Sequence, residues 1–138
     1  MNSRSIILFA ALSAFSAVCQ AEHANVAALS DSDYQSSIED GKVYFVKFFA
    51  PWCGHCKRLA PTWEQLGSAL SGNADIVVAK VDCTVSKDIC SKAGVRGYPT
   101  LKLFHKGAEQ QAYKGARDLA ALKKFAEDSA SSLIETTS

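Results

Sequence analysis

Residues 25–29 open the pattern of apolar and polar positions as a short stretch with edge-strand character. Ser30-Asp31-Ser32-Asp33 then supplies capping side chains for a helix running to about Asp40, where Gly41 stops it. Residues 43–49 (VYFVKFF) form a continuous apolar and aromatic run, the mark of a strand covered on both faces. After Ala50-Pro51 a helix starts near Cys53, because Cys56, Leu59, Ala60, Trp63, Leu66 and Leu70 fall on one face at helical spacing. Pro61 lies within that stripe and lacks the donor that would reach the Lys57 carbonyl, so a kink is expected there and not an end. Ser71-Gly72-Asn73 turns the chain into a second buried strand at 76–81, and residues 82–93 predict a short, weakly apolar helix closed by Gly94. A third strand at 100–104, a Lys106-Gly107 hairpin turn and a returning strand at 110–113 follow, and a last helix from Arg117 buries Leu119, Leu122, Phe125 and Ala126.

Strands linked by helices and then by a hairpin describe an α/β sandwich: a mixed sheet, half of it parallel, with helices on both faces. No repeat or Pro/Gly-rich linker divides the chain, and only the Ser/Thr-rich end from Ser129 reads as a frayed tail, assigned to residues 131–138. At the other end, Met1 to Arg4 carries one positive side chain, the next stretch to Val18 is apolar or small, and Cys19-Gln20-Ala21 offers small residues where a signal peptidase reads. Residues 1–21 are therefore expected to be a signal peptide and 22–130 the folded unit, with no membrane span after cleavage. Cleavage removes Cys19 and leaves Cys53, Cys56, Cys83 and Cys90 in a compartment where pairing is allowed. With 15 Lys+Arg interspersed with 14 Asp+Glu, the charge argues against a nucleic-acid partner.

Trp52-Cys53-Gly54-His55-Cys56-Lys57 sits where a buried strand hands over to a helix, so Cys53 falls at the helix N-terminus and Cys56 one turn in, on the same side. Unpaired N–H groups and the positive end of the helix dipole stabilise a thiolate at Cys53, which selects it as the nucleophile and leaves Cys56 as the resolving thiol. His55 adds a donor or a positive charge beside that thiolate, favouring the reduced form and making the pair a stronger oxidant. Taken alone, His55 is equally a solvated surface residue. Trp52 reads as an apolar lip for unfolded chains. Zinc would need a second close pair or nearby histidines, whereas six residues separate Cys83 from Cys90 and His23 and His105 lie far away, so neither metal nor organic cofactor is expected.

The string Phe49-Ala50-Pro51-Trp52-Cys53-Gly54-His55-Cys56-Lys57, with Leu59-Ala60-Pro61, Val81-Asp82-Cys83-Thr84 and Val95-Arg96-Gly97-Tyr98-Pro99-Thr100 after it, resembles the catalytic thioredoxin-like domains of the protein disulfide isomerase family. The resemblance covers residues 25–127 and implies a single thioredoxin-like three-layer sandwich, of the kind that multi-domain endoplasmic reticulum relatives carry several times. It implies a cis bond before Pro99, backbone hydrogen bonds from Tyr98 to an extended substrate, and a mobile Arg117 that approaches Cys56 to speed resolution of mixed disulfides. On composition alone Pro99 is a turn proline and Arg117 a surface residue. Cys83 and Cys90 match by spacing a structural disulfide of some relatives, with free thiols or a regulatory pair as alternatives. If residues 84–90 are helical, that pairing needs an irregular first turn.

Many members of that family have a glutamate where this chain has Lys47, six residues before Cys53. An ammonium inside an apolar strand is not there for packing, so Lys47 is expected to handle the Cys56 proton, perturbed by Lys80, unless it snorkels to solvent. The resemblance implies a thiol–disulfide oxidoreductase that forms or rearranges disulfides in unfolded or partly folded cysteine-containing polypeptides, reoxidised by a protein or by glutathione disulfide. The rivals are a non-catalytic peptide-binding adaptor and a thioredoxin-type reductase. The expected location is the secretory pathway, in the endoplasmic reticulum lumen, with export left open because the chain ends Glu135-Thr136-Thr137-Ser138 without a retrieval signal.

Overall fold

The computed structural model describes residues 25–136; the expected leader at 1–21, Cys19 included, lies outside them. Their elements are β1 (Ala27–Leu29), α1 (Tyr34–Ile38), β2 (Val43–Phe49), α2 (Gly54–Leu70), β3 (Ile76–Asp82), α3 (Lys87–Lys92), β4 (Thr100–His105), β5 (Ala108–Tyr113) and α4 (Leu119–Glu135). The sheet runs β1-β3-β2-β4-β5. β1 and β2 lie parallel to β3, whereas β4 is antiparallel to both β2 and β5, so the crossover half and the hairpin half meet at β2.

Because β2 has a neighbour on each side and helices on each face, all but the last of its residues are buried. Alternation sends Val43 and Phe45 towards α2 and α4, into a core with Trp63, Leu66, Leu122 and Ala126. Tyr44, Val46 and Phe48 face the other layer, with Tyr34, Ile38 and Ile89 of α1 and α3. The Phe45 ring meets those of Trp63 and Phe125 at 4.8 and 5.2 Å, and the buried Trp63 indole donates to the Ala79 carbonyl at 3.0 Å. α2 is thereby fixed to the sheet from its middle, leaving its N-terminal end free for chemistry. It continues through Pro61 to Leu70, because the apolar stripe buried on either side of the proline outweighs one missing donor. A Cβ on Gly67 would stand 2.6 Å from the Asn25 carbonyl oxygen, so this glycine is what lets the chain before β1 lie against the helix.

Several boundaries differ from those expected. The Asp33 side chain accepts from Ser30 N–H at 2.7 Å instead of capping the first turn of α1, which ends at Ile38. The helix expected from residue 82 begins only at Lys87, since Asp82 holds Thr84 through both N–H and hydroxyl and keeps residues 83–86 in a turn. The tail expected beyond residue 130 is helical as far as Glu135, because Ala130 is buried in the core and Leu133 and Ile134 pack against it. Among the described residues no helix is long and apolar enough to cross a membrane.

Candidate active site

β2 ends at Phe49, and a tight turn in which Cys53 N–H donates to the Ala50 carbonyl at 3.1 Å delivers the chain to α2. Cys53 is the N-cap, extended at φ −77° and ψ 124°, and no side chain caps the helix. The thiol therefore stands where the first N–H groups have no other partner. The backbone N–H of Cys56 is the largest influence holding the Cys53 pKa below its ordinary value; the Cys56 thiol, the His55 N–H and the Arg117 charge act in the same direction, against the effect of burial. As a thiol, Cys53 also donates to the Tyr98 carbonyl at 3.5 Å. Cys56, one turn in and only 3% exposed, has the opposite bias: burial raises its pKa and the Cys53 thiol raises it further, while the charge of Lys47 lowers it. Both are free thiols, one half-buried and the other buried, so an accessible acidic thiol sits in front of a shielded basic one.

The imidazole of His55 is exposed, and what this residue brings to Cys53 in the structure is its backbone N–H. The first-turn N–H groups of a helix point out of its N-terminal end, which is where the Cys53 sulfur stands.

Lys47 does not snorkel: it is 3% exposed, with its ammonium 5.1 Å from the centre of the Phe49 ring. Alternation along β2 puts it on the α2 side of the sheet, beside its register partner Lys80. Burial lowers its pKa most, then the Lys80 charge, against the raising effects of Glu64 and Cys56. These groups share an open cavity of about 410 Å³ that reaches Cys56 between α2 and the sheet. Glu64, which binds Lys80 at 3.3 Å, is the residue that sequence reasoning passed over. Its signal was present: eight positions after Cys56 is a little over two turns, on the same helix face.

The Tyr98–Pro99 peptide bond is cis. Trp52, 68% exposed, stacks edge-on against Tyr98 with centroids 5.8 Å apart, making an aromatic rim beside the thiol. Arg117 stands in the exposed loop before α4, which starts at Leu119 with Asp118 as its cap. From there its charge lowers the Cys53 pKa. Gly115 lets that loop close over Tyr113, since a Cβ there would lie 2.7 Å from the phenol oxygen. On the far face Cys83 and Cys90 are joined, with Cα atoms 5.7 Å apart, and the turn made by Asp82 brings Cys83 to the helix. Among the described residues, no three or more His, Cys, Asp or Glu side chains are placed to hold a metal ion.

A dithiol at the head of a helix and a cis-proline facing it, on a sheet of this order, define a thioredoxin-fold protein. Over residues 25–128 the sequence matches the thioredoxin family, and the chain belongs to it, among the protein disulfide isomerase-like proteins. Protein disulfide isomerase-like 5-1 of Oryza sativa subsp. japonica is 44% identical over 108 residues, covering 78% of this chain and 74% of the relative. Protein disulfide isomerase-like 2-2 of the same plant is 42% identical over 128 residues, but the chain spans only 34% of its length. The first thioredoxin domain of mouse protein disulfide-isomerase A4, solved in solution, superposes with a TM-score of 0.70 at 34% identity, covering 77% of this chain and 76% of that one.

Proposed function

We propose that the chain is a thiol–disulfide oxidoreductase acting on unfolded or partly folded cysteine-containing polypeptides of the secretory pathway, in the endoplasmic reticulum lumen. The observation that carries this reading is the opposed bias of the two thiols, Cys53 accessible and acidified, Cys56 buried and made more basic. A substrate thiolate attacks the oxidised pair at Cys53, a bond forms between the two sulfurs, and Cys56 leaves as a thiolate. A second substrate thiolate then attacks the substrate sulfur, completes the new disulfide and releases Cys53, so two electrons pass from substrate to enzyme. A protein or glutathione disulfide returns the dithiol to its oxidised form. Isomerisation starts instead from the reduced Cys53 thiolate. In this mechanism the backbone before Pro99 aligns the substrate, Trp52 and Tyr98 border it, and the Lys47 ammonium handles the Cys56 proton through the cavity, giving it up as the thiolate leaves and recovering it when Cys56 is next deprotonated. Arg117 supports the Cys53 thiolate where it now stands and would reach Cys56 on moving inward; His55 steadies the thiolate at the helix head.

The test joins a trap to a titration. A Cys56→Ala variant should accumulate mixed disulfides with reduced, unfolded ribonuclease in a glutathione buffer, and the parent chain should speed recovery of ribonuclease activity. Alkylation of Cys53 should titrate below the ordinary 9.0 in both proteins, with a higher midpoint in the variant, which keeps the Cys56 N–H but loses its thiol. No trapped adduct, no gain in refolding and an ordinary thiol midpoint would together leave a binding module in place of an enzyme.

A further inference from the structure

A groove of about 560 Å³ runs from cis-Pro99 along the start of β4 and the end of β5, between the residue 94–100 loop and the loop after β5. Its charged lining consists of Arg96, Lys102, Lys114 and Arg117, without a carboxylate among the lining residues. This is a local accumulation, since the whole chain carries a formal charge of only +1. Lys102 is neutralised by Glu109 at 2.6 Å and also donates to the Ala93 carbonyl. Asp118, the acid next to Arg117, caps α4 through Ala121 N–H at 2.9 Å and lies outside the lining; its charge reaches Tyr113 and offsets part of the excess, leaving the lining net positive. Arg96, Lys114 and Arg117 are all exposed, and among the described residues none of them is ion-paired. The groove is continuous with the chemistry: Pro99 forms part of its wall, and the carbonyl before it touches the Cys53 thiol at 3.5 Å.

A client cysteine that reacts at Cys53 while its backbone lies along Pro99 carries its neighbouring residues into this groove, since an extended chain advances about 3.3 Å per residue and two or three residues cover ~7–10 Å. Basic side chains there would meet uncompensated positive charge, and acidic ones a ready partner. We infer that the groove makes the exchange site selective for cysteines flanked by acidic residues, an inference that rests on the exchange reading of Cys53 and names its preferred substrate. One exposed pair of opposite charges changes a rate by about 1.5- to fivefold, so two acidic flanking residues against two lysines should differ by roughly tenfold.

The probe is a set of three heptapeptides, each with one cysteine held as a mixed disulfide with thionitrobenzoate and with flanking Glu, Ser or Lys pairs. The reduced chain attacks the peptide sulfur through Cys53, displacing the yellow thionitrobenzoate anion. Cys56 then displaces the peptide thiol, so one probe disulfide is reduced as one enzyme disulfide forms. The expected order of second-order rate constants at low salt is Glu over Ser over Lys, spanning roughly tenfold. That span should collapse towards one in 1 M NaCl, where the screening length is about 3 Å, and in an Arg96→Gln/Lys114→Gln variant. Equal rates for the three peptides at low salt, or a span unchanged in the variant, would overturn the inference while leaving exchange intact. No release from any peptide would instead remove the exchange reading, and this one with it.

Discussion

Replacing Lys47 by Met should make the protein more stable and a poorer catalyst at once. Lys47 is 3% exposed and faces a second lysine across the register, so desolvating its ammonium costs several kcal/mol. The Phe49 ring at 5.1 Å offsets about 1 kcal/mol of that, and Glu64 offsets more, leaving a net gain for an apolar side chain of similar length of about 1–2 kcal/mol. For a domain of this size that is a rise in Tm of roughly 4–8 °C. The sign with pH follows from the lowered Lys47 pKa. The folded chain loses this proton before the unfolded chain does, so the penalty is full below the lowered value and disappears as pH approaches 10.5. The advantage of the variant should therefore be large at pH 7 and shrink on the alkaline side.

Function moves the other way, because the Lys47 charge lowers the Cys56 pKa and Met cannot. For every pKa unit that a thiol rises, its thiolate fraction falls about tenfold while the thiolate gains about threefold in nucleophilicity, a net loss of roughly threefold in attack rate. Urea denaturation of both proteins across pH 6–10.5 reads the first effect, and stopped-flow release of a peptide thiol from the Cys53 mixed disulfide reads the second. A variant no more stable than its parent at pH 7, or one that resolves the mixed disulfide equally fast, would refute this dual role of Lys47.

Two further outcomes concern the frame around the site. Changing both Cys83 and Cys90 to Ala opens a loop with a sequence separation of 7 and should lower stability by about 2 kcal/mol by loop entropy, measured by urea midpoint, while leaving the alkylation rate of Cys53 unchanged. Gly115→Ala forces a Cβ to within 2.7 Å of the Tyr113 oxygen; a loss of about 1–3 kcal/mol is expected, along with an upward drift of the Cys53 midpoint as the loop carrying Arg117 shifts. An unperturbed Tm in that variant would mean that the loop opens at no cost.

Where one cause dominates, the sequence was readable. VYFVKFF became β2 to the residue, because a run apolar at nearly every position has no stable place except between two helix layers. The apolar stripe from Cys56 to Leu70 became the buried face of α2, which runs on past the exposed Pro61, and the position of Cys53 at its head followed. Legibility failed where two local effects compete. Asp82 reads as a helix residue by pattern, but its carboxylate reaches Thr84 two positions on and diverts the chain into the turn that brings Cys83 to Cys90. The serines after Ser129 read as a tail until Ala130, Leu133 and Ile134 are seen at the spacing that keeps α4 on the core. The helix spacing placed Glu64 on the Cys56 face, but the pairing with Lys80 and the cavity shared with Lys47 depend on how α2 lies over β3, which the spacing does not reveal.

The two outermost strands carry a consequence of their own. β1 spans only Ala27–Leu29, and β5, at the opposite border, is mostly exposed and shows Glu109, Gln110 and Gln111 along its length. One border so short and the other so hydrophilic make poor templates for a stray polypeptide that lacks hydrogen-bond partners. Under the proposed function, unfolded clients would thereby be turned away from the sheet borders and left to engage the molecule at Cys53.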